Sequence, residues 1–149
     1  MVRAFVQRTD REDLRLRFGR PLNFDDEPTL RRSFGISNGD SEIVWVLDDQ
    51  GTIAGISHRV PLSRSEADIA LIVRSDMKRR GIGEFLLRTL VTRAAARGLK
   101  TLTALVMREN RPMLQLAARI GYATRGFAAL TVELVFDVGQ ATEAYRADH

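Results

Sequence analysis

The sequence predicts an α/β protein of the α+β kind, and three observations carry that prediction. Three apolar runs between Glu42 and Arg74 are separated by short turn segments, which is the pattern of an antiparallel meander. At Ile82 the hydrophobic period changes from two to helical spacing, with Ile82, Phe85, Leu86, Leu90, Val91 and Ala94 recurring on one stripe. Beyond it a strand, a second short helix and a last strand alternate to about residue 138. With 149 residues the chain has enough length for one domain with a proper core and not for two. The whole of 1–149 is therefore read as a single domain, with a core over about 10–138 and a polar tail over 139–149 that is expected to fray.

Taken in order, Thr9-Asp10-Arg11-Glu12 reads as a capping box opening a short helix with Leu14, Leu16 and Phe18. Gly19 and Pro21 break it. A second helix is expected from about Asp26 to Phe34, with Asp25, Asp26 and Glu27 at its positive end and Arg31 and Arg32 at its negative end. Phe34-Gly35 and Asn38-Gly39-Asp40 close this section. The runs 42–47 and 52–60 form a hairpin around Asp48-Asp49-Gln50-Gly51, and a polar turn from Pro61 to Glu66 leads into a strand at 67–74. That strand is apolar on both faces, the mark of a buried strand. The helix from about 81 to 97 ends on Arg93, Arg97 and Gly98, as a C-terminus should. Lys100–Met107 is the next strand. Asn110 caps a helix that tolerates Pro112 in its first turn and turns Met113, Leu116, Ala117 and Ile120 inward until Gly121. Tyr122–Phe127 is a short strand and Leu130–Val138 the last one.

Composition excludes several function classes. There are no cysteines, so no thiolate nucleophile, disulfide or Cys-ligated metal is available, which fits the cytoplasm. Of the two histidines one is the last residue, so a His-based metal site is not expected. No run approaches the length that spans a membrane, and no charged-then-apolar leader is present. The net charge of +4 is spread along the chain in arginines, and aromatics are only 7%. That leaves little for base stacking, so nucleic acid is not the expected partner. A phosphorylated small molecule or an acidic surface fits the charge as well.

The chemistry is concentrated in Val73-Arg74-Ser75-Asp76-Met77-Lys78-Arg79-Arg80-Gly81-Ile82-Gly83-Glu84. A buried strand runs in and an amphipathic helix runs out. The first turn of a helix offers unpaired N–H groups and a positive dipole end. Gly81 and Gly83 keep that backbone open, and three basic residues precede them, so the stretch has the make-up of a polyphosphate cradle. The spacing is neither that of a P-loop nor that of a dinucleotide fold. The bland alternative is a basic surface turn before a glycine-containing helix.

With Lys78 at its first position and Gly81 and Gly83 following, the stretch resembles the Q/R-x-x-G-x-G/A motif of the GNAT acyltransferases. Asn110-Arg111-Pro112-Met113-Leu114-Gln115-Leu116-Ala117-Ala118-Arg119-Ile120-Gly121-Tyr122 is similar to the family's later N-x-x-A/M-x-x-L-Y-x-x-x-G-F segment. Val73–Lys78 and Arg108–Leu114 resemble, more narrowly, the GNAT domain of bacterial protein lysine acetyltransferases, often fused to an acyl-CoA-synthetase-like region. The resemblance covers about residues 10–137. It implies a central mixed, mostly antiparallel twisted sheet flanked by helices. It implies acetyl-CoA as cosubstrate, no metal, and transfer of the acetyl group to a primary amine, foremost a protein lysine, by direct attack on the thioester. The diphosphate would lie on Lys78, Arg79, Arg80, Gly81, Ile82, Gly83 and Glu84. Pantetheine would pair with Leu71, Ile72 and Val73, with the Val73 N–H as oxyanion donor, where the strands at 67–74 and 100–107 splay apart. Asn110 would touch pantetheine as well as cap its helix. Asp68 is the best match to the family's general base and Glu66 the second, Asp68 working through a water because its side chain is short. Each of these acids is read equally well as a solvated strand-end charge, and Glu109 as a helix-start charge. His58, Trp45 and the methionines are most simply strand and core residues.

Two departures stand out. The family's opening strand has no room before Leu14, and residues 2–8 resemble the end of its first helix. Either that strand is missing from this chain, or the open sheet edge is covered by another copy in a homodimer. The Tyr that protonates the leaving thiolate in many GNATs is replaced by Ala117, as in the protein-lysine branch, so water would supply that proton. Three other readings remain beside the lysine one: an acetyltransferase for a small-molecule amine, a non-catalytic acyl-CoA-binding regulatory domain, and a basic nucleic-acid-binding domain.

Overall fold

The computed structural model describes residues 1–36 and 39–147. Six strands form one sheet in the order β1-β2-β3-β4-β6-β5. They are β1 (Glu42–Leu47), β2 (Ile53–Pro61), β3 (Glu66–Val73), β4 (Thr101–Met107), β5 (Ala123–Arg125) and β6 (Thr131–Asp137). The helices are α1 (Val2–Gln7), α2 (Arg11–Phe18), α3 (Glu27–Ser33), α4 (Ile82–Ala96), α5 (Arg111–Ala118) and α6 (Val138–Ala147). All pairings are antiparallel except that of β3 with β4. The sheet is thus mixed and mostly antiparallel, and the meander over β1–β3 stands as expected.

Each face of the sheet has its own core. On one, Ala67 and Ile69 of β3 pack with Leu87, Leu90, Val91 and Ala94 of α4, with Ala117 of α5, and with Val138, Ala141 and Tyr145 of α6. On the other, Ile56 and Ile72 pack with Val2, Phe5 and Val6 of α1, Leu30 of α3, and Phe34. Phe18, Phe24 and Phe34 meet in tilted and edge-on contacts that seat α2 and α3 there. Close approach of α4 to the sheet depends on Gly55. A Cβ at Gly55 would stand 2.7 Å from Ile82 Cγ2 and 3.1 Å from Leu86 Cδ1. The missing side chain on β2 therefore sets where the first turn of α4 sits.

Several expectations are corrected. The described residues after Gly139 do not fray: α6 is a helix whose Val138, Ala141 and Tyr145 are buried, because the apolar residues of a polar-looking tail share one face. The capping box at Thr9 is not made. Asp10 is the N-cap, its N–H bonded to Ser75 Oγ at 2.8 Å, while Thr9 Oγ1 donates to Phe5 O at 2.7 Å as the end of α1. Trp45 is not core; it is 45% exposed at the open sheet edge. Phe85 is exposed as well, and Leu87 takes its place in the core of α4. Asp26 does cap α3, accepting from Thr29 N–H at 3.1 Å. The Asn38 part of the expected turn lies outside the described residues. No helix among the described residues is long and apolar enough to cross a membrane.

Candidate active site

The site begins with a break in the sheet. β2 and β3 are paired along seven positions, from Gly55↔Val73 to Pro61↔Ala67. β3 and β4 are paired at three only: Glu66↔Thr101, Ala67↔Leu102 and Asp68↔Thr103. Beyond Asp68 the two strands diverge, and each turns its remaining length to other neighbours. Arg74 N–H donates to Ala54 O at 2.8 Å. Backbone groups alternate along a strand, so Ile72 faces β2 while the N–H and C=O of Leu71 and Val73 face the gap. With no ladder partner on that side beyond Asp68, β3 offers this row of donors and acceptors to the gap.

The gap opens into a cleft of about 590 Å³ between β3, α2, α5 and the start of α4. Leu71, Ile72, Val73, Lys78, Arg79, Gly81, Ile82, Gly83, Glu84 and Asn110 line it, so ten of the predicted cofactor-binding residues are brought together. Arg80 is exposed and does not line it. Asp13, Leu16 and Arg17 of α2 and Met113 and Leu116 of α5 complete the walls. The α2 residues carried no motif, and only knowing that α2 lies across the gap could have found them.

The loop between β3 and α4 is held by a buried cation. Arg74 is 2% exposed and donates to Asp76 Oδ1 at 2.6 Å, Asp48 Oδ2 at 3.0 Å and Ile53 O at 3.0 Å. These bonds tie the loop to the β1–β2 turn. Both carboxyls are held below the usual range, Asp76 chiefly by its bond from Arg74 and Asp48 chiefly by the Thr52 N–H, then Arg74. Ser75 Oγ donates to Asp13 Oδ2 at 2.5 Å, and Lys78 pairs with Asp13 Oδ1. Arg79 (φ 63) and Gly81 (φ 82) are both left-handed. For Arg79 that conformation costs about 1 kcal/mol or more, strain of the kind stored at ligand-gripping turns. No side chain caps α4, and its first intrahelical bond runs from Phe85 N–H to Gly81 O at 3.0 Å. A Cβ at Gly81 would meet nothing within 4 Å, so open space adjoins the first-turn amides. Glu84 contributes backbone only, since its carboxylate pairs with Arg88 and with Arg119 at 3.0 Å. Asn110 Oδ1 accepts from Met113 N–H at 3.3 Å, making the expected cap.

The predicted acids stand apart from the cleft lining. Asp68 occupies the vertex where β3 and β4 part, accepting from Thr103 Oγ1 at 3.0 Å. Burial raises its pKa above the usual carboxylate range, against the opposing effects of the Thr103 bond and the Arg17 charge. Glu66 lies two residues behind and is bound by Arg125 at 2.9 Å. Glu109, just before the N-cap of α5, pairs with Arg15 of α2 at 2.9 Å. His58 is buried, and burial first, then the Arg17 charge, lowers its pKa to about 4. Ala117 is fully buried, so the position of the family's tyrosine faces the core. Among the described residues no cluster of His, Asp or Glu suits a metal ion.

Residues 9–122 match the model of the acetyltransferase (GNAT) family. The chain belongs to that family. GNAT enzymes are acetyl-CoA-dependent N-acetyltransferases, and this chain is one of them. Among solved structures, the GNAT domain of S. lividans PAT is similar at 23% identity and a TM-score of 0.75, over 90% of this chain and 81% of that one. The spermidine N-acetyltransferase from Vibrio cholerae in complex with CoA and spermine is similar at 14% identity and a TM-score of 0.73, over 94% and 91%. At these identities the likeness is one of fold: the GNAT sheet with helices on both faces. The ligand-facing backbone at Leu71 and Val73, the open space beside Gly81 and the uncapped α4 fit an extended, phosphorylated thioester such as acetyl-CoA.

Proposed function

We propose that this GNAT enzyme transfers the acetyl group of acetyl-CoA to the side-chain amine of a protein lysine, with Asp68 as general base. The observation that carries the reading is the limit of three paired positions between β3 and β4, which leaves a strand-shaped place for pantetheine. Leu71 and Val73 pair with it, and the Val73 N–H stabilises the oxyanion as the amine nitrogen attacks the thioester carbon. Ile72 contributes its side chain to the wall, its backbone being turned to β2. The amides of Ile82, Gly83 and Glu84, with Lys78 and Arg79, hold the diphosphate. Arg80 reaches the phosphates from outside, and the Asn110 amide nitrogen is left for pantetheine.

The amine must lose a proton before it attacks. Asp68 lies three residues before Leu71, about 10 Å along the strand, so the proton travels through ordered water to its carboxylate. Burial makes that carboxylate more basic than usual, which suits it to the task. Collapse breaks the C–S bond and the CoA thiolate takes its proton from water. Glu66, held by Arg125, backs the vertex electrostatically. A polypeptide acceptor is supported by exposed apolar side chains on β4 and on the segment between β5 and β6. Leu105 is 61% exposed, Phe127 93% and Leu130 68%, and these are apolar contacts of the sort that hold another protein.

The test is acetyl-lysine mass spectrometry on candidate proteins incubated with the enzyme and acetyl-CoA, alongside a panel of small amines. Modified protein lysines that vanish with Asp68→Asn support the reading. Turnover of small amines with untouched proteins replaces the acceptor, and acetyl-CoA binding without turnover on any acceptor sinks the catalytic part.

A further inference from the structure

Arg17 is a cleft cation that no carboxylate among the described residues contacts directly. It projects from α2, which packs over β3 and β4, and it lines the cleft beside Leu71 and Ile72. Its guanidinium lies 4.6 Å from the Phe18 ring centroid. Among the described residues it makes neither an ion pair nor a hydrogen bond, whereas Arg15 of the same helix is bound by Glu12 and Glu109. The only carboxylate whose charge it feels is Asp68, which is engaged by Thr103 and lies beyond hydrogen-bond reach. A guanidinium in a cleft, half out of water and resting on an aromatic face, is poised for an anion. Its pKa is pulled down to about 10 by burial, which outweighs the opposing pull of the Asp68 charge.

We propose that Arg17 is a specificity residue that binds a carboxylate carried by one of the two substrates, next to the reacting centre. The inference rests on the acyltransferase reading above. A planar fork of donors matches a carboxylate with two parallel bonds, which a lysine could not supply. Two sources satisfy the same chemistry. One is the acyl group of the donor, as in a dicarboxylic acyl-CoA; the other is an acid group on the acceptor near the amine. Acetyl-CoA with a lysine flanked by a glutamate is one such combination.

The experiment compares kcat/KM for matched pairs in the full chain. The donor arm sets succinyl-CoA against acetyl-CoA with one neutral lysine peptide. The acceptor arm sets lysine peptides carrying Glu or Gln beside the reactive lysine, and γ-aminobutyrate against its amide, all with acetyl-CoA. In one arm the carboxylated member is preferred, and Arg17→Gln lowers that preference ratio about 10- to 100-fold, the worth of a charge-assisted pair. Arg17→Lys recovers part of it. The melting-temperature rise with acetyl-CoA, kept in both variants, shows that they fold and bind the donor. No preference for a carboxylate in either arm, or a ratio unchanged in Arg17→Gln, overturns the assignment. An enzyme that neither binds nor uses any acyl-CoA fails at the acyltransferase reading instead, which is a different result.

Discussion

Replacing Gly81 by alanine separates the fold from its use. The residue sits at φ 82, and its missing Cβ would point into space with no atom within 4 Å. Strain alone therefore costs about 1 kcal/mol, since the left-handed region disfavours any Cβ. For a chain of this size that is a fall in melting temperature of about 2–4 °C. On the proposed reading the donor's diphosphate uses the same space, so a methyl group there is expected to weaken binding about tenfold, or about 1.4 kcal/mol. Differential scanning fluorimetry reads both effects. With acetyl-CoA at a hundred times its wild-type Kd, the wild-type gain is about 2.7 kcal/mol, or about 5–11 °C. Gly81→Ala at the same concentration should gain about 1.4 kcal/mol, or about 3–6 °C, from its lower baseline. Gly81→Glu should gain nothing. If both variants start lower but rise by the full wild-type increment, the phosphates are not on this turn and the cradle argument is wrong.

Three further outcomes follow from the site and its supports. Asp68→Asn should lower kcat by about 100-fold or more, and the wild-type rate should climb with pH through a midpoint above the ordinary carboxylate range. Because burial raises the Asp68 pKa in the fold, its contribution to stability is fully present below 3.8 and lost as pH rises through the folded value. Asp68→Asn should thus melt higher than wild type at neutral pH, with the gap closing towards pH 3.8. His58 shows the opposite sign: its folded pKa falls from 6.5 to about 4, so stability present above 6.5 is lost as pH drops towards 4. Roughly 3 kcal/mol rides on that group, and urea titrations of His58→Leu should show a correspondingly flatter acid slope than wild type. Arg74→Met should cost about 1–3 kcal/mol by chemical denaturation, because it removes the charged bonds that tie the loop carrying Lys78 to Asp48 and Ile53 O, while Asp48 keeps its bonds from Gln50 and Thr52 N–H.

Much of this molecule was legible in the sequence because its signals are local. The meander, α4 with Gly98 behind it, and the Asn110 cap each rest on residues adjacent in the chain. The turn between β3 and α4 was legible for the same reason: two glycines, three basic residues and a change of period lie within a dozen positions. What escaped depends on contacts between distant segments. Asp13, Leu16 and Arg17 line the cleft only because α2 lies over the gap, which no periodicity announces. Thr9 is a good N-cap in isolation, yet the end of α1 takes its hydroxyl and Asp10 stands at the N-cap position without a side-chain cap bond. The tail reads as polar, but its few apolar residues share a helical face that α4 covers. Trp45 reads as core because its neighbours are apolar, while the open edge leaves it in water.

The parting of β3 from β4 has a consequence for motion. Only three residue pairs join β3 to β4 in the sheet, so beyond Asp68 the β1–β3 and β4–β6 ribbons are coupled through the helices packed on them rather than through the ladder. Amide exchange should register this, with slow exchange inside each ribbon and fast exchange at Leu71 and Val73. An extended ligand lying in the wedge acts as a seventh strand, and filling it should slow exchange on both ribbons together, including at β6, which it never touches.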